Sequence, residues 1–144
     1  MIWLAKSSWG IAMRHHIIVA ALMVVAGGAS AAAIPTRTTI GIFPIAPAKP
    51  VTRVETTRVD FLPAEEMPEH MHPVPVVCFV AKGNFLVSIG SAPVRQLTVG
   101  DTTIERAGEI VHYFRNVSPT QAAQLYCAIL AGPDDKQLSI MLNK

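Results

Sequence analysis

From Val51 onward the sequence predicts an all-β domain, a sandwich or small barrel of about eight short strands. Three observations lead there. Runs rich in valine, isoleucine, threonine and aromatic residues recur along the chain. Gly, Pro and Asn punctuate them at regular spacing, and no segment shows convincing helical periodicity.

Residues 51–61 (VTRVETTRVDF) are rich in β-branched side chains, which pack well on a pleated surface. Pro63 and Pro68 bracket a polar turn that leads into His70-Met71-His72. Residues 74–81 are almost continuously apolar and read as a strand buried on both faces. Lys82-Gly83-Asn84 turns into a strand at 85–89, and residues 90–93 turn into another at 94–99. Gly100-Asp101 precedes 102–106, and Ala107-Gly108-Glu109 interrupts the run before 110–115. A loop at 116–120 leads into 122–131, and the last strand is expected at 137–142. Gly83, Gly100 and Gly108 read as turn residues that need positive φ.

The first 33 residues read as a cleaved leader. Met13-Arg14-His15-His16 is a short basic segment, 17–26 is apolar, and 27–33 supplies small residues in the A-x-A pattern. Residues 1–12 read as an extension upstream of a true start at Met13. The apolar stretch is too short to span a bilayer comfortably. The mature chain is therefore expected in the periplasm or outside the cell, with no stable membrane insertion after cleavage. Residues 34–50 carry Pro35, Pro44, Pro47 and Pro50, so they cannot donate a regular ladder and read as an extended arm or linker. The domain itself is expected over 51–144.

The whole chain holds 12 basic and 10 acidic residues, net +2. Lys6 and Arg14 belong to the leader, so the mature chain is close to neutral. No Lys/Arg cluster marks a phosphate-binding face, and nucleic acid is not expected as a partner. There is no Gly-x-Ser-x-Gly nucleophile motif and no phosphate loop. Cys78 and Cys127 would meet an oxidising compartment after export. They read either as a disulfide or as two buried thiols packing as small apolar groups.

Three histidines remain beyond the leader: His70, His72 and His112. Imidazole is the side chain most often used to hold a transition metal near neutral pH. A His-x-His pair on a strand sends both rings to one face, because side chains alternate with a period of two. That pair can hold two adjacent corners of a metal site, and a ring from a distant strand can close the face.

These residues resemble the cupin family, a double-stranded β-helix or jelly roll. Its first motif runs Gly, five residues, His-x-His, three or four residues, Glu, six residues, Gly. Ala64 stands at the first Gly, His70-Met71-His72 follow after five residues, and Gly83 falls at the end. Its second motif runs Gly, five residues, Pro-x-Gly, two residues, His, three residues, Asn. Gly100 opens it, with Arg106, Ala107 and Gly108 at the turn. His112 comes three residues later rather than two, and Asn116 closes the motif in register. Asn116 also has a plain structural role available in the turn before Pro119. The resemblance covers roughly 51–142.

The family's usual acidic ligand falls at Val76 or Val77, neither of which binds metal. The resemblance thus implies three protein ligands, His70, His72 and His112, around a divalent transition metal (Fe, Mn, Ni, Cu or Zn). Such a face leaves positions open for substrate, as a catalytic rather than structural site does. Some cupin branches, the thiol dioxygenases among them, similarly lack the acidic ligand. Glu66 shares strand parity with His70 and His72 and is a candidate fourth ligand, whereas Glu69 has the opposite parity and is expected to face solvent. The implied activity is dioxygenase- or isomerase-like, on a small molecule. The alternative is a non-catalytic small-molecule-binding or structural cupin with a degenerate metal site. A homodimer, paired through edge strands or the 34–50 arm, is a further implication.

In a barrel of this kind the mouth is expected to be lined by Phe79, Phe85, Phe114 and Met71. Arg106, Arg115, Tyr113, Tyr126 and Gln96 are candidate polar anchors. The strands carrying Cys78 and Cys127 are expected to be neighbours in one sheet, with a disulfide if their Cα atoms lie within about 7 Å.

Overall fold

In the computed structural model, residues 35–142 are described, and among them the regular structure is entirely β. The strands are β1 (Arg53–Phe61), β2 (Glu66–Met67), β3 (His70–Met71), β4 (Val76–Lys82) and β5 (Phe85–Ile89), then β6 (Arg95–Leu97), β7 (Thr102–Glu105), β8 (Ile110–Asn116), β9 (Ala123–Ala131) and β10 (Ile140–Met141). One sheet runs β1-β9-β4-β7. The other runs β10-β3-β8-β5-β6, with β2 also paired to β8. All pairings are antiparallel. This is the jelly-roll class expected from the sequence. The segment read as a leader, 1–33, lies outside the described residues.

Period-two alternation decides what fills the interior. On β4 the side chains of Val76, Cys78 and Val80 are buried, while Phe79 between them is 46% exposed. The reading of this strand as buried on both faces is therefore corrected. Its outer face is apolar but open, and Phe79 stacks there on Tyr126 of β9 with centroids 5.6 Å apart. Residues 121–131, free of helical periodicity, supply the central strand β9. The strands expected at 94–99 and 137–142 shrink to β6 and β10.

Cross-strand register sorts the inner face of the first sheet into rows. Thr57, Cys127, Cys78 and Thr103 form one row, and Glu55, Ile129, Val76 and Glu105 form the next. From the second sheet, Phe85, Val87, Ile89, Val111 and Phe114 face inward. Phe85 meets Phe61 and Phe114 edge-on at 5.0 and 5.2 Å, the arrangement favoured by aromatic quadrupoles. Cys78 and Cys127 are directly opposed partners, with Cα atoms 4.0 Å apart, and are joined as a disulfide.

Turn chemistry fixes the connections. At Gly83 φ is +78°, and an added Cβ would sit 2.6 Å from that of Ala123, so this β4–β5 turn needs glycine. Asn116 is fully buried and satisfied. Its amide donates to the carbonyls of Leu62 (2.9 Å) and Gln121 (2.7 Å), and its Oδ1 accepts from the Ser118 N–H. The Pro-rich stretch carries no strand and is fastened to the barrel at two points. Thr102 Oγ1 donates to the Ile40 carbonyl, and Lys49 pairs with Asp135 at 2.7 Å.

Candidate metal centre

The ends of two short strands bring three buried ligand atoms together. His70 lies on β3, His72 just beyond it, and Glu105 ends β7. Their ligand atoms lie within 4.8 Å of one another, and all three side chains are buried. The Nε2 of His72 is 3.0 Å from Glu105 Oε2, and that of His70 is 3.9 Å from the same oxygen. Two donors on one ion at about 2.1 Å stand about 3.0 Å apart at a right angle and about 3.4 Å apart at a tetrahedral one. The observed separations bracket this range, so the donor set fits a divalent transition metal.

The rings are held by backbone. His70 Nδ1 lies 2.7 Å from the Pro68 carbonyl, and His72 Nδ1 lies 2.5 Å from that of Leu138. A carbonyl oxygen only accepts, so each Nδ1 carries the proton and each Nε2 is left facing Glu105. This is the arrangement that orients metal-binding histidines. Without metal, the short His72–Glu105 contact holds a proton between Nε2 and the carboxylate. Burial is the largest influence on the His72 imidazolium and works to lower its pKa. The Glu105 hydrogen bond, the Leu138 carbonyl and the Glu105 charge together outweigh it, and the net shift is upward.

The three residues open on a cavity of about 130 Å³ between the sheets. Its walls are apolar, from Val76, Phe61, Phe114, Leu125 and Ile129, with Met67 and Met141 beside them. The disulfide-bonded cysteines form part of the wall, and Cys78 Sγ is 4.0 Å from Glu105 Oε1. Beyond the ligands, the polar side chains on the lining are the hydroxyls of Thr57 and Ser139.

His112 is not brought to this group. It is the extra residue of a β-bulge, since Tyr113 pairs with Ser88 and Val111 with Ile89, leaving His112 unmatched. The bulge turns Val111 inward, fully buried and paired with His70, at the place separated from Gly108 by two residues. The His112 ring points outward, 43% exposed, with Nδ1 2.9 Å from Glu69. Glu66 is exposed opposite Arg115 and is likewise away from the cavity. The chain breaks strand at Pro68-Glu69, so Met67 and His70 both face inward and the parity that linked Glu66 to the histidines is lost.

Of the expected lining, Phe85 and Phe114 are interior and Phe114 borders the cavity, while Phe79 faces outward and Met71 is only half-buried. Of the expected anchors, Arg106 lines a separate depression with Arg95 and Glu109, whereas Tyr126 and Arg115 sit on the outside.

Glu105 was the residue that sequence reasoning missed. The available signal was its two-residue spacing from Thr103 within a strand, and its position next to the turn of the second motif. Val76, where the family's acidic ligand is expected, is the direct cross-strand partner of Glu105. The carboxylate thus reaches the same space from the neighbouring strand.

Comparison with known proteins agrees with this architecture. An oxalate oxidase structure matches with 26% identity and a TM-score of 0.52, covering 62% of this chain and 46% of that one. An uncharacterised conserved protein with a double-stranded β-helix domain from Klebsiella pneumoniae matches at 20% identity and a TM-score of 0.53, covering 63% and 76%. The DMSP lyase DddQ from Ruegeria pomeroyi matches at 16% and 0.53, covering 61% and 42%. The chain thus spans just under half the length of the oxalate oxidase chain. No curated protein matches it. The family model described as "Cupin domain" matches residues 57–129, just over half of the sequence. With both the fold and a matching family model in hand, the chain belongs to the cupin family.

Proposed function

We propose that this protein is an exported, metal-dependent cupin that acts on a small oxygen-bearing molecule, with His70, His72 and Glu105 as its metal ligands. The convergence of three buried donors, two of them imidazoles tied at Nδ1 to backbone carbonyls, carries this reading. Two histidines and one carboxylate on one face form a donor set that leaves coordination positions open. A divalent metal bound there supplies a Lewis acid for a substrate oxygen and, where redox-active, a source or sink of electrons.

The chain's own residues supply the rest. Pro68 and Leu138 hold the two rings in the tautomer that directs Nε2 at Glu105. Glu105 offsets part of the cation's charge in a site where a lone buried charge is costly. Val76, Phe114, Leu125 and Ile129 exclude water, and Thr57 and Ser139 offer hydroxyls to orient a polar substrate group. A cavity of about 130 Å³ has room for about four waters, so the ligand is of similar size. The oxalate oxidase relatives include complexes with glycolate, a molecule of that scale. Among the described residues no Arg or Lys lines this cavity, so a small carboxylic acid would depend on the metal for its charge partner. Export is supported by the leader-like pattern at 1–33 and by a disulfide, which persists in oxidising compartments.

A second reading is a metal-binding module without turnover. It is favoured by the lining among the described residues, where the three ligands are the titratable side chains. Elemental analysis after reconstitution, followed by oxygen-consumption and small-acid turnover assays, separates the two. About one equivalent of metal without turnover supports the module, and under about a tenth of an equivalent overturns both.

A further inference from the structure

The disulfide occupies the wall of the proposed metal centre. The inner row Thr57–Cys127–Cys78–Thr103 lies next to the row that ends in Glu105, so Cys78 and Glu105 are diagonal neighbours on one sheet face. Their side chains meet accordingly, with Cys78 Sγ 4.0 Å from Glu105 Oε1. Both cysteines line the cavity that His70, His72 and Glu105 line. Cys78 itself is 1% exposed and lines this cavity.

We propose that this cysteine pair is a redox-controlled ligand of the same centre. Closed as a disulfide, it leaves two nitrogens and one carboxylate as donors. Opened, it lets Cys78 add a thiolate. The opening is an exchange with a dithiol reductant. The Cys78–Cys127 S–S bond breaks, an S–S bond forms within the reductant, and two electrons and two protons pass to the cysteines. The Cys78 thiol then releases its proton to solvent as sulfur joins the ligand set.

Geometry favours Cys78 over Cys127. Cys78 Sγ lies 4.0 Å from Oε1, the second oxygen of the carboxylate whose Oε2 faces the histidines. A freed cysteine can move among its χ1 rotamers, which brings its sulfur toward the ion that this carboxylate holds. Cys127 is one strand further from Glu105. A thiolate shifts preference from iron or manganese toward zinc and copper(I). In an oxidising compartment the harder, three-donor form prevails, and a dithiol converts it to the softer four-donor form.

This inference rests on the metal-centre reading, and cobalt(II) absorption separates the two. The full folded chain is titrated with cobalt(II) without oxygen, as the disulfide and after treatment with a small dithiol that is then removed. The oxidised protein is expected to show cobalt d–d bands alone. The reduced protein is expected to add a sulfur-to-cobalt charge-transfer band in the near ultraviolet and to bind zinc at least about tenfold more tightly. Cys127→Ser should show that band with no reductant, because its Cys78 thiol is already free, and reduced Cys78→Ser should lack it. Cobalt binding with the same spectrum in the oxidised protein, the reduced protein and Cys127→Ser overturns the switch and leaves the centre standing. Failure of every form to take up cobalt overturns both. If Cys127→Ser does not fold, reduced wild type decides.

Discussion

Val76 and Glu105 face each other across the β4–β7 ladder, one buried and apolar, the other buried and ionisable. The first holds the place of a carboxylate in the family's motif, and the second, on the adjacent strand, is the carboxylate of the proposed centre. Directly opposed residues in an antiparallel pair hold their Cβ atoms about 5 Å apart, within the reach of a glutamate side chain.

Exchange of the two side chains is therefore expected to be tolerated. Glu105→Val alone should weaken cobalt or zinc binding by at least about 100-fold. Val76→Glu combined with Glu105→Val should recover affinity to within about tenfold of wild type. Calorimetric titration of the three proteins checks this. A double variant no better than the single one would show that the ligand must come from β7.

Proton and metal compete for His72. Its folded pKa is raised, so the protonated ring contributes stability that is fully present below the ordinary imidazole range and is lost as pH rises through the raised value. Metal binding has the opposite sign, because the ligand must be free of its Nε2 proton. Thermal melts and cobalt titrations between about pH 5.5 and 8.5 test both signs. The metal-free protein should lose stability as pH rises through the His72 transition. Cobalt affinity should increase there by up to about tenfold per pH unit. Matching slopes in both curves would remove His72 from the site.

At the β4–β5 turn, Gly83→Ala forces a Cβ into the left-handed region and onto buried Ala123. The expected loss is about 2–3 kcal/mol of unfolding free energy. A denaturant midpoint within error of wild type would mean that the turn relaxes freely.

Local pattern carried the legible part of the architecture. Period-two alternation and turn residues reveal most strands, and they place His70 and His72 on one face because only two positions separate them. His112 was beyond such reasoning. Its orientation depends on a single unmatched residue opposite Ser88 and Ile89, and a bulge of this kind is a property of pairing rather than of the strand. Glu66 lies away from the cavity for a related reason, since a strand break at Pro68-Glu69 resets the alternation. Glu105 was hidden because a glutamate on a short strand ordinarily faces solvent. What buries it is register with Val76, 29 positions earlier in the chain. The open outer face at Phe79 and Tyr126 shows the same limit, since a continuous apolar run does not say which of its faces is covered.

Metal content of the wild type, Glu105→Ala and His112→Ala, each reconstituted with cobalt and freed of excess, is the most direct measurement. Wild type and His112→Ala should each retain about one equivalent, with affinities within about twofold, and Glu105→Ala should retain less than about a tenth. Retention by Glu105→Ala together with loss in His112→Ala would contradict the assignment of the centre.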